Sequence, residues 1–329
     1  MLFNKYIFQL LFFFACCHFK SIPQSASTAD VDSAIIHLAD PTIFSDKGVY
    51  YLYGTVEGNA SNGFLVYTSS NLKTWKLSTQ NNGYALKKSE AFGTSGFWAP
   101  QVFFHHHKYY MAYTANENIA IAESNSPLGP FKQKNREPLA APVKQIDPFI
   151  FFDDDGKAYL YHVRLINGNR IFVAEMTDDL LSIKQETLRE CITATQAWEN
   201  TPNTKWPITE GPSILKHKNL YYLFYSANDF RNPDYAIGYA TSNNPLGPWK
   251  KYSENPIIDR KLMGYNGTGH GDFFKKGKKI FYVLHTHYSN SKVGPRNTAL
   301  VKMKFVKNTN GQDYLMADKK TFHFLNKVR

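Results

Sequence analysis

The sequence predicts an all-β fold, a five-bladed β-propeller. Three observations predict it. One hairpin is written five times: "DPTIFSDKGVYYLYGT" from Asp40, "WAPQVFFHHHKYYMAYTA" from Trp98, "DPFIFFDDDGKAYLYHVR" from Asp147, "EGPSILKHKNLYYLFYSA" from Glu210 and "GHGDFFKKGKKIFYVLHT" from Gly269. The repeats recur at about fifty to sixty residues, the spacing of a propeller blade. Helical periodicity is nearly absent, since no segment keeps apolar residues at three-and-four spacing for more than a turn or two.

The elements follow in chain order. The opening "MLFNKYIFQLLFFFACCHFK" has one early Lys and then a short apolar run, the pattern of a secretory signal over residues 1–28. Two cleavage sites present themselves. One lies in "SASTA" and gives a plain signal peptide; the other lies before Cys16 or Cys17 and gives a lipid-anchored lipoprotein. The expected location is outside the cytoplasm of a bacterium: secreted, periplasmic or at the cell surface. No later segment is apolar enough to cross a bilayer.

Residues 29–329 then read as one propeller domain. Each repeat is an apolar strand, a polar turn of Asp, Gly, Lys, Asn or His, and a strand rich in Tyr, which together make a hairpin. A further apolar strand and a loop follow, as in "IAIAESNSPLGPF" and "YAIGYATSNNPLGPW". Counting an outer strand, this makes a four-stranded blade. The triplet His105 to His107 falls at a hairpin tip, where it reads as an exposed turn.

Composition sets limits. Aromatic content is 16 % and hydrophobic content 43 %, enough for a sizeable core. Outside the leader the only cysteine is Cys191, which excludes an internal disulfide and a cysteine-rich zinc site. The formal charge of +11 is spread over turns such as "FKKGKK" and forms no block. With no stacking motif of the single-strand binders, nucleic acid is not an expected partner.

In a propeller the innermost strands line a central channel and their starts meet at one mouth. Asp40, Asp147 and Glu210 stand at the starts of three repeats, and read as equivalent positions they converge in space. Pro follows the first two directly and Glu210 after one Gly; a proline pushes the residue before it towards extended backbone. Like charges gathered there raise at least one pKa. Two carboxylates with separated pKa values are what glycoside hydrolysis requires.

These residues carry a resemblance. "ADPTIF" around Asp40, "FWAPQV" around Trp98, "IDPFIF" around Asp147, "TEGPSI" around Glu210 and "TGHGDFF" around His270, in order and at blade spacing, resemble glycoside hydrolase family 43. The resemblance implies inverting hydrolysis of arabinose- and xylose-containing glycans. It makes Asp40 the general base, Glu210 the general acid and Asp147 the residue that tunes and orients Glu210. It makes Trp98 an apolar wall for the sugar, with a propeller-core tryptophan as the other reading. Arg296 falls where the family places an arginine that holds a sugar hydroxyl. His270 is expected at the channel mouth as a substrate-contacting residue, or as the partner, through waters, of a calcium or sodium ion in the channel; no cofactor is required. His285 and His287 share a face and are expected to border the mouth.

The leading expectation is an exo-acting enzyme that releases terminal α-L-arabinofuranosyl or β-D-xylosyl units. The loops "VEGNASNG" and "CITATQAWENTPNTKWPIT" would set the choice of substrate, with Trp198 and Trp206 walling the pocket. An endo-arabinanase is the related alternative, and a non-catalytic glycan-binding propeller the alternative of another class.

Overall fold

The structure is a computed structural model that describes residues 34–199, 204–307 and 313–328. The expected signal segment, with Cys16 and Cys17, lies outside the described residues. Among the described residues no helix is long and apolar enough to cross a membrane.

Five twisted sheets are arranged as the blades of a propeller, and the innermost strands of blades I to V are Leu38–Asp46, Trp98–His105, Gln145–Phe152, Thr209–His217 and Gly269–Lys276. Each pairs antiparallel with the next strand of its hairpin: Val49–Val56, Lys108–Ala115, Ala158–Leu165, Leu220–Ala227 and Lys279–Thr286. The predicted hairpins are therefore the inner halves of the blades. The polar turns stand where expected, His106 and His107 among them, with left-handed φ values of 43° and 64°.

Blades III, IV and V have four strands each. Blade II departs from the expected four: it has three, and its outer edge is reduced to a single bridge between Glu123 and Lys132. The matching loops "SNSPLGP" in blade II and "SNNPLGP" in blade IV lead to different outer edges, since only in blade IV does a fourth strand, Lys250–Lys251, follow. Blade I closes the ring. Asn326–Lys327 runs parallel to its outer strand Thr74–Leu77, and Ala34–Ile35 pairs outside that. The first and last strands among the described residues are thus tied to one blade, which closes the ring.

The core is divided the way a propeller requires. Five apolar clusters fill the five seams between neighbouring blades. Between blades I and II, Tyr53, Phe64, Phe97, Met111 and Tyr113 are fully buried. Between blades V and I, Leu52, Trp75, Val283 and Leu300 meet. Alternate residues of each central strand face opposite seams, so both faces are apolar. That is why the second strands read as near-continuous aromatic and aliphatic runs.

Candidate active site

Each innermost strand carries a bulge at its start, where the ladder skips: between Ala39 and Thr42, Trp98 and Gln101, Ile146 and Phe149, Glu210 and Ser213, and Gly269 and Gly271. One residue of every bulge adopts left-handed backbone. These are Asp40 (φ 48°), Ala99 (46°), Asp147 (56°), Gly211 (58°) and His270 (37°). Two expectations are corrected here. The residues before Pro41, Pro100, Pro148 and Pro212 are not extended; the bulge overrides the local preference of a pre-proline residue. The three acids also do not share one phase. Asp40 and Asp147 occupy the left-handed position, whereas Glu210 stands one residue earlier, in register with Ala39, Trp98, Ile146 and Gly269. The extra glycine of "EGP" is the cause: proline, not the acid, marks the equivalent place.

Gly211 has a second reason to be glycine. A Cβ there would lie 2.8 Å from the ring of His270. The glycine admits the imidazole into the channel and leaves Glu210 free to project from the preceding position.

The bulges are held by one device used around the ring. Each left-handed residue offers a buried N–H, and a side chain at the end of the preceding blade's second strand accepts it. Thr55 Oγ1 accepts from Ala99 at 3.0 Å, Thr114 Oγ1 from Asp147 at 2.9 Å, Ser226 Oγ from His270 at 2.8 Å and His285 Nδ1 from Asp40 at 3.1 Å. Blade III has Val163 at that register and so offers no acceptor. There the N–H of Gly211 goes to Asp147 Oδ2 at 3.1 Å. A carboxylate takes the place of a hydroxyl at the one seam that carries Glu210.

The surroundings of the three acids differ. Asp40 Oδ2 accepts from Thr55 Oγ1 at 2.6 Å, and its Oδ1 lies 3.3 Å from His270 Nδ1 and 3.5 Å from Arg296 Nη1. Burial pushes Asp40 up, but His270, Arg296 and His285 together with the Thr55 hydrogen bond outweigh it and hold the group well below the usual carboxylate range. At neutral pH the lasting charge among these is Arg296. Burial pushes both imidazoles down, and His285 accepts a hydrogen bond through Nδ1, which only a neutral ring can do.

Glu210 is pushed the other way, to about 7, by burial first and by the charges of Asp40 and Asp229, against hydrogen bonds from Tyr235 and Asn169. Tyr235 Oη donates to Oε1 at 2.9 Å and Asn169 Nδ2 to Oε2 at 2.8 Å. Asp147, only 6 % exposed, is also raised, by burial and then by the charges of Glu210 and Asp40. Asp147 and Glu210 thus behave as a pair that resists losing both protons.

Arg296 is set by partners the sequence reading did not name. Its Nε donates to Glu57 Oε1 at 2.5 Å, and the guanidinium lies over the Phe230 ring at 4.8 Å from the centroid. Glu57 belongs to the expected "VEGNASNG" loop, but a lone acid in a polar loop gives no signal of its own. Tyr235 and Asn169 were likewise missed, because a hydrogen bond across loops leaves no spacing in the sequence. Thr55, Thr114 and Ser226 had a signal: each ends the tyrosine-rich strand of its repeat.

The remaining expected residues are placed as follows. Trp98 is half-buried and holds in blade II the register that Glu210 holds in blade IV. His270 is 8 % exposed, sits beneath the mouth, and lies 3.9 Å from Asp147 Oδ2 as well as against Asp40. His287 is buried and bonds the carbonyl of Phe230, the residue under the Arg296 guanidinium, through Nε2 at 2.7 Å. Trp198 does not wall the mouth: its ring packs by Tyr225 and beside Gly238, and its Nε1 donates to Gln196 Oε1. Trp206 is the exposed one, at 46 %.

The channel below His270 narrows to a cavity of about 20 Å³ lined by Thr42, Gln101, Phe149 and Asp272. That is space for a water-sized guest. Asp40, Asp147 and His270 line it as well, and an ion here would be reached by these side chains through waters. Thr42 is engaged with Asp272 and Gln101 with the backbone of Ile150, and an imidazole is a poor ligand for a hard cation. Among the described residues no group of three His, Cys, Asp or Glu is placed to hold a metal.

Comparison with known proteins agrees with this geometry. The β-D-galactofuranosidase xynD of Aspergillus niger is 26 % identical over 277 residues, 77 % of this chain and 74 % of that protein. A xylosidase/arabinosidase of Bacteroides ovatus is 24 % identical over 294 residues, 76 % of this chain and 85 % of that one. Among solved structures, an endo-1,4-β-xylanase from Bacteroides thetaiotaomicron superposes with a TM-score of 0.82 at 40 % identity, over 91 % of this chain and all of that one. A thermostable family-43 glycoside hydrolase superposes with a TM-score of 0.77 at 38 % identity, over 86 % and 93 %. Residues 35–310 match the profile described as Glycosyl hydrolases family 43, and with five blades around a mouth of three carboxylates the chain belongs to that family.

Proposed function

We propose that the protein is an inverting, exo-acting glycoside hydrolase that releases terminal α-L-arabinofuranosyl or β-D-xylosyl units from plant-type oligosaccharides or polysaccharides. The observation that carries this reading is the separation of two carboxylates at one mouth. Asp40 is held ionised, while Glu210 is pushed to about 7 and so keeps a proton near neutrality. Groups driven apart in this way take the roles of base and acid.

The reaction runs in one displacement. Asp40 accepts a proton from a water whose oxygen attacks the anomeric carbon. The bond from that carbon to the glycosidic oxygen breaks as Glu210 gives its proton to that oxygen. The products are the sugar with inverted configuration and the alcohol of the leaving group. Asp40 is left protonated and Glu210 ionised, and exchange with solvent resets both. Asp147 orients Glu210 through the Gly211 peptide and, as a coupled carboxyl, helps keep it protonated. Arg296, fixed by Glu57 and Phe230, presents its remaining N–H groups to a sugar hydroxyl, and Trp98 supplies an apolar wall. The names of the relatives, which include xylosidase, arabinosidase and galactofuranosidase, support a pentose or furanose in the pocket. The apolar leader supports export.

The endo-1,4-β-xylanase name of the 40 % identical structure favours a second reading, cleavage within a chain. One panel separates them. Chromogenic α-L-arabinofuranoside and β-D-xyloside, linear arabinan and xylan are digested with wild type, Asp40→Asn and Glu210→Gln. The exo reading expects monosaccharide from the first minutes and loss of activity in both variants by at least about a hundredfold. Early oligosaccharides from a polymer establish the endo reading. Inactivity on all four substrates ends both.

A further inference from the structure

We propose that Trp206 and Asn169 form a positioning relay for Glu210, and that the open face of Trp206 receives the sugar on the leaving-group side of the scissile bond. The proposal rests on the reading of Glu210 as the proton donor.

The geometry is a chain of two hydrogen bonds. Trp206 Nε1 donates to Asn169 Oδ1 at 2.8 Å, and Asn169 Nδ2 donates to Glu210 Oε2 at 2.8 Å. The amide is 8 % exposed and its backbone is clamped by the segment that carries Trp206. Asn169 N–H donates to the Pro207 carbonyl at 2.8 Å, and Thr209 Oγ1 donates to the Asn169 carbonyl at 3.1 Å. The indole has a donor and no acceptor. It can meet only the oxygen end of the amide, so the NH₂ end is turned to Glu210.

That polarity has a chemical consequence. With Asn169 Nδ2 on one oxygen and the Tyr235 hydroxyl donating to the other, Glu210 accepts from both neighbours, and on the Asn169 side the proton it carries has no acceptor. It is left for the glycosidic oxygen. If the amide turned over, Oδ1 would accept that proton. The protonated acid would be stabilised and the proton withheld. Trp206 is the group that forbids this rotation.

The ring also has a place to act from. It is 46 % exposed although its N–H is committed inward, so an aromatic face stands open two hydrogen bonds from the acid. The group that receives Glu210's proton is the oxygen of the leaving group. A ring beside the acid therefore meets the leaving unit, and an aromatic face suits the C–H face of a sugar ring. The ligand class for this face is a glycosyl residue, as in a disaccharide or longer chain, and not a simple alcohol.

The test uses leaving groups of different quality. A dinitrophenyl glycoside departs without help from an acid, whereas a disaccharide does not. Trp206→Phe keeps the ring and removes the donor. It should lower kcat on the disaccharide that wild type accepts by about tenfold, a fraction of what a general acid supplies. It should change kcat on the matching dinitrophenyl glycoside less than about twofold, and move the basic limb of the pH profile to higher pH. Trp206→Ala should in addition raise KM for the disaccharide by about tenfold, the scale of one aromatic contact. Asn169→Ala should share the leaving-group selectivity of Trp206→Phe with KM unchanged. Equal losses on both substrates, or no loss on the disaccharide, overturn the relay. Unchanged KM in Trp206→Ala overturns the leaving-group face. Wild type inert on every glycoside overturns the parent reading and the relay with it; an active wild type that Glu210→Gln leaves unimpaired does the same.

Discussion

Asp147 Oδ2 accepts the backbone N–H of Gly211 at 3.1 Å, so a carboxylate of blade III holds the peptide that follows Glu210 in blade IV. At the other four seams a threonine, serine or histidine side chain does this work. The exception arises because the register position of blade III is Val163. A carboxylate that must also hold a backbone amide has a fixed direction, which is what an orienting residue requires. Val163→Thr restores the missing hydroxyl with almost unchanged volume. The hydroxyl is expected to take the Gly211 N–H and release Asp147. Unfolding free energy should then stay within about 1 kcal/mol of wild type, because the buried hydroxyl finds a partner. The kcat should fall by about tenfold. A loss of about 2 kcal/mol or more with unchanged kcat would show that the seam has no bearing on catalysis.

Glu210 should make the fold less stable as it ionises. Its folded-state pKa of about 7 lies above the ordinary value of 4.5. The unfolded chain releases that proton more readily, so stability falls as pH rises from about 4.5 towards 7 and the deficit is full above that window. Glu210→Gln cannot ionise. It should therefore melt higher than wild type at pH 8, by an amount worth about 1–3 kcal/mol, and gain little at pH 4. Thermal melts at the two pH values check this. An equal change at both would locate the effect in packing and not in the proton.

Arg296 should set the acid limb of activity. In the proposed mechanism Asp40 works ionised, and Arg296 is its lasting positive neighbour at neutral pH. Arg296→Gln removes that charge, so the pKa of Asp40 rises and the acid limb of kcat/KM moves to higher pH. KM should rise as well, through the lost contact to the sugar. A pH profile measured from 3 to 9 decides it: wild type, whose Asp40 is held well below the usual carboxylate range, should show no acid limb in that window, Arg296→Gln should show one, and a variant without one would mean that Asp40 is not the titrating base.

Much of this was legible in the sequence because a propeller writes its geometry as repetition. The five hairpins, their turns and the meeting of Asp40, Asp147 and Glu210 follow from the repeat. What was not legible came from single-residue detail. Glu210 falls out of phase with the other acids because the repeat keeps its proline, and not its acid, in register. The left-handed backbone of Asp40 and Asp147 was hidden because the bulge is a property of paired strands and not of the Asp-Pro dipeptide. Trp198 and Trp206 sit in one loop with no pattern to separate them. Only packing against Tyr225 tells the half-buried ring from the open one. Glu57, Asn169 and Tyr235 reach the site across loops, where spacing carries no information.

The loop that bears Trp206 is anchored by a buried acid. Glu199, fully buried, accepts from Tyr225 Oη, from the Thr195 and Gln196 N–H groups, and from Lys251 Nζ at 2.6 Å. Glu199→Ala leaves the lysine uncompensated and should destabilise the protein by about 3–5 kcal/mol. The double variant Glu199→Gln with Lys251→Met should recover more than half of that. Denaturant unfolding of wild type and the two variants checks the claim, and a double variant as unstable as Glu199→Ala would contradict it.

The central claim is that Asp40 activates water while Glu210 protonates the leaving oxygen. Proton NMR of the sugar first released by wild type, recorded before mutarotation on whichever glycoside it cleaves, tests this most directly. The account predicts the anomer of inverted configuration as the initial product. Initial release of the retained anomer would mean that a carboxylate had formed a covalent glycosyl bond, and would contradict it.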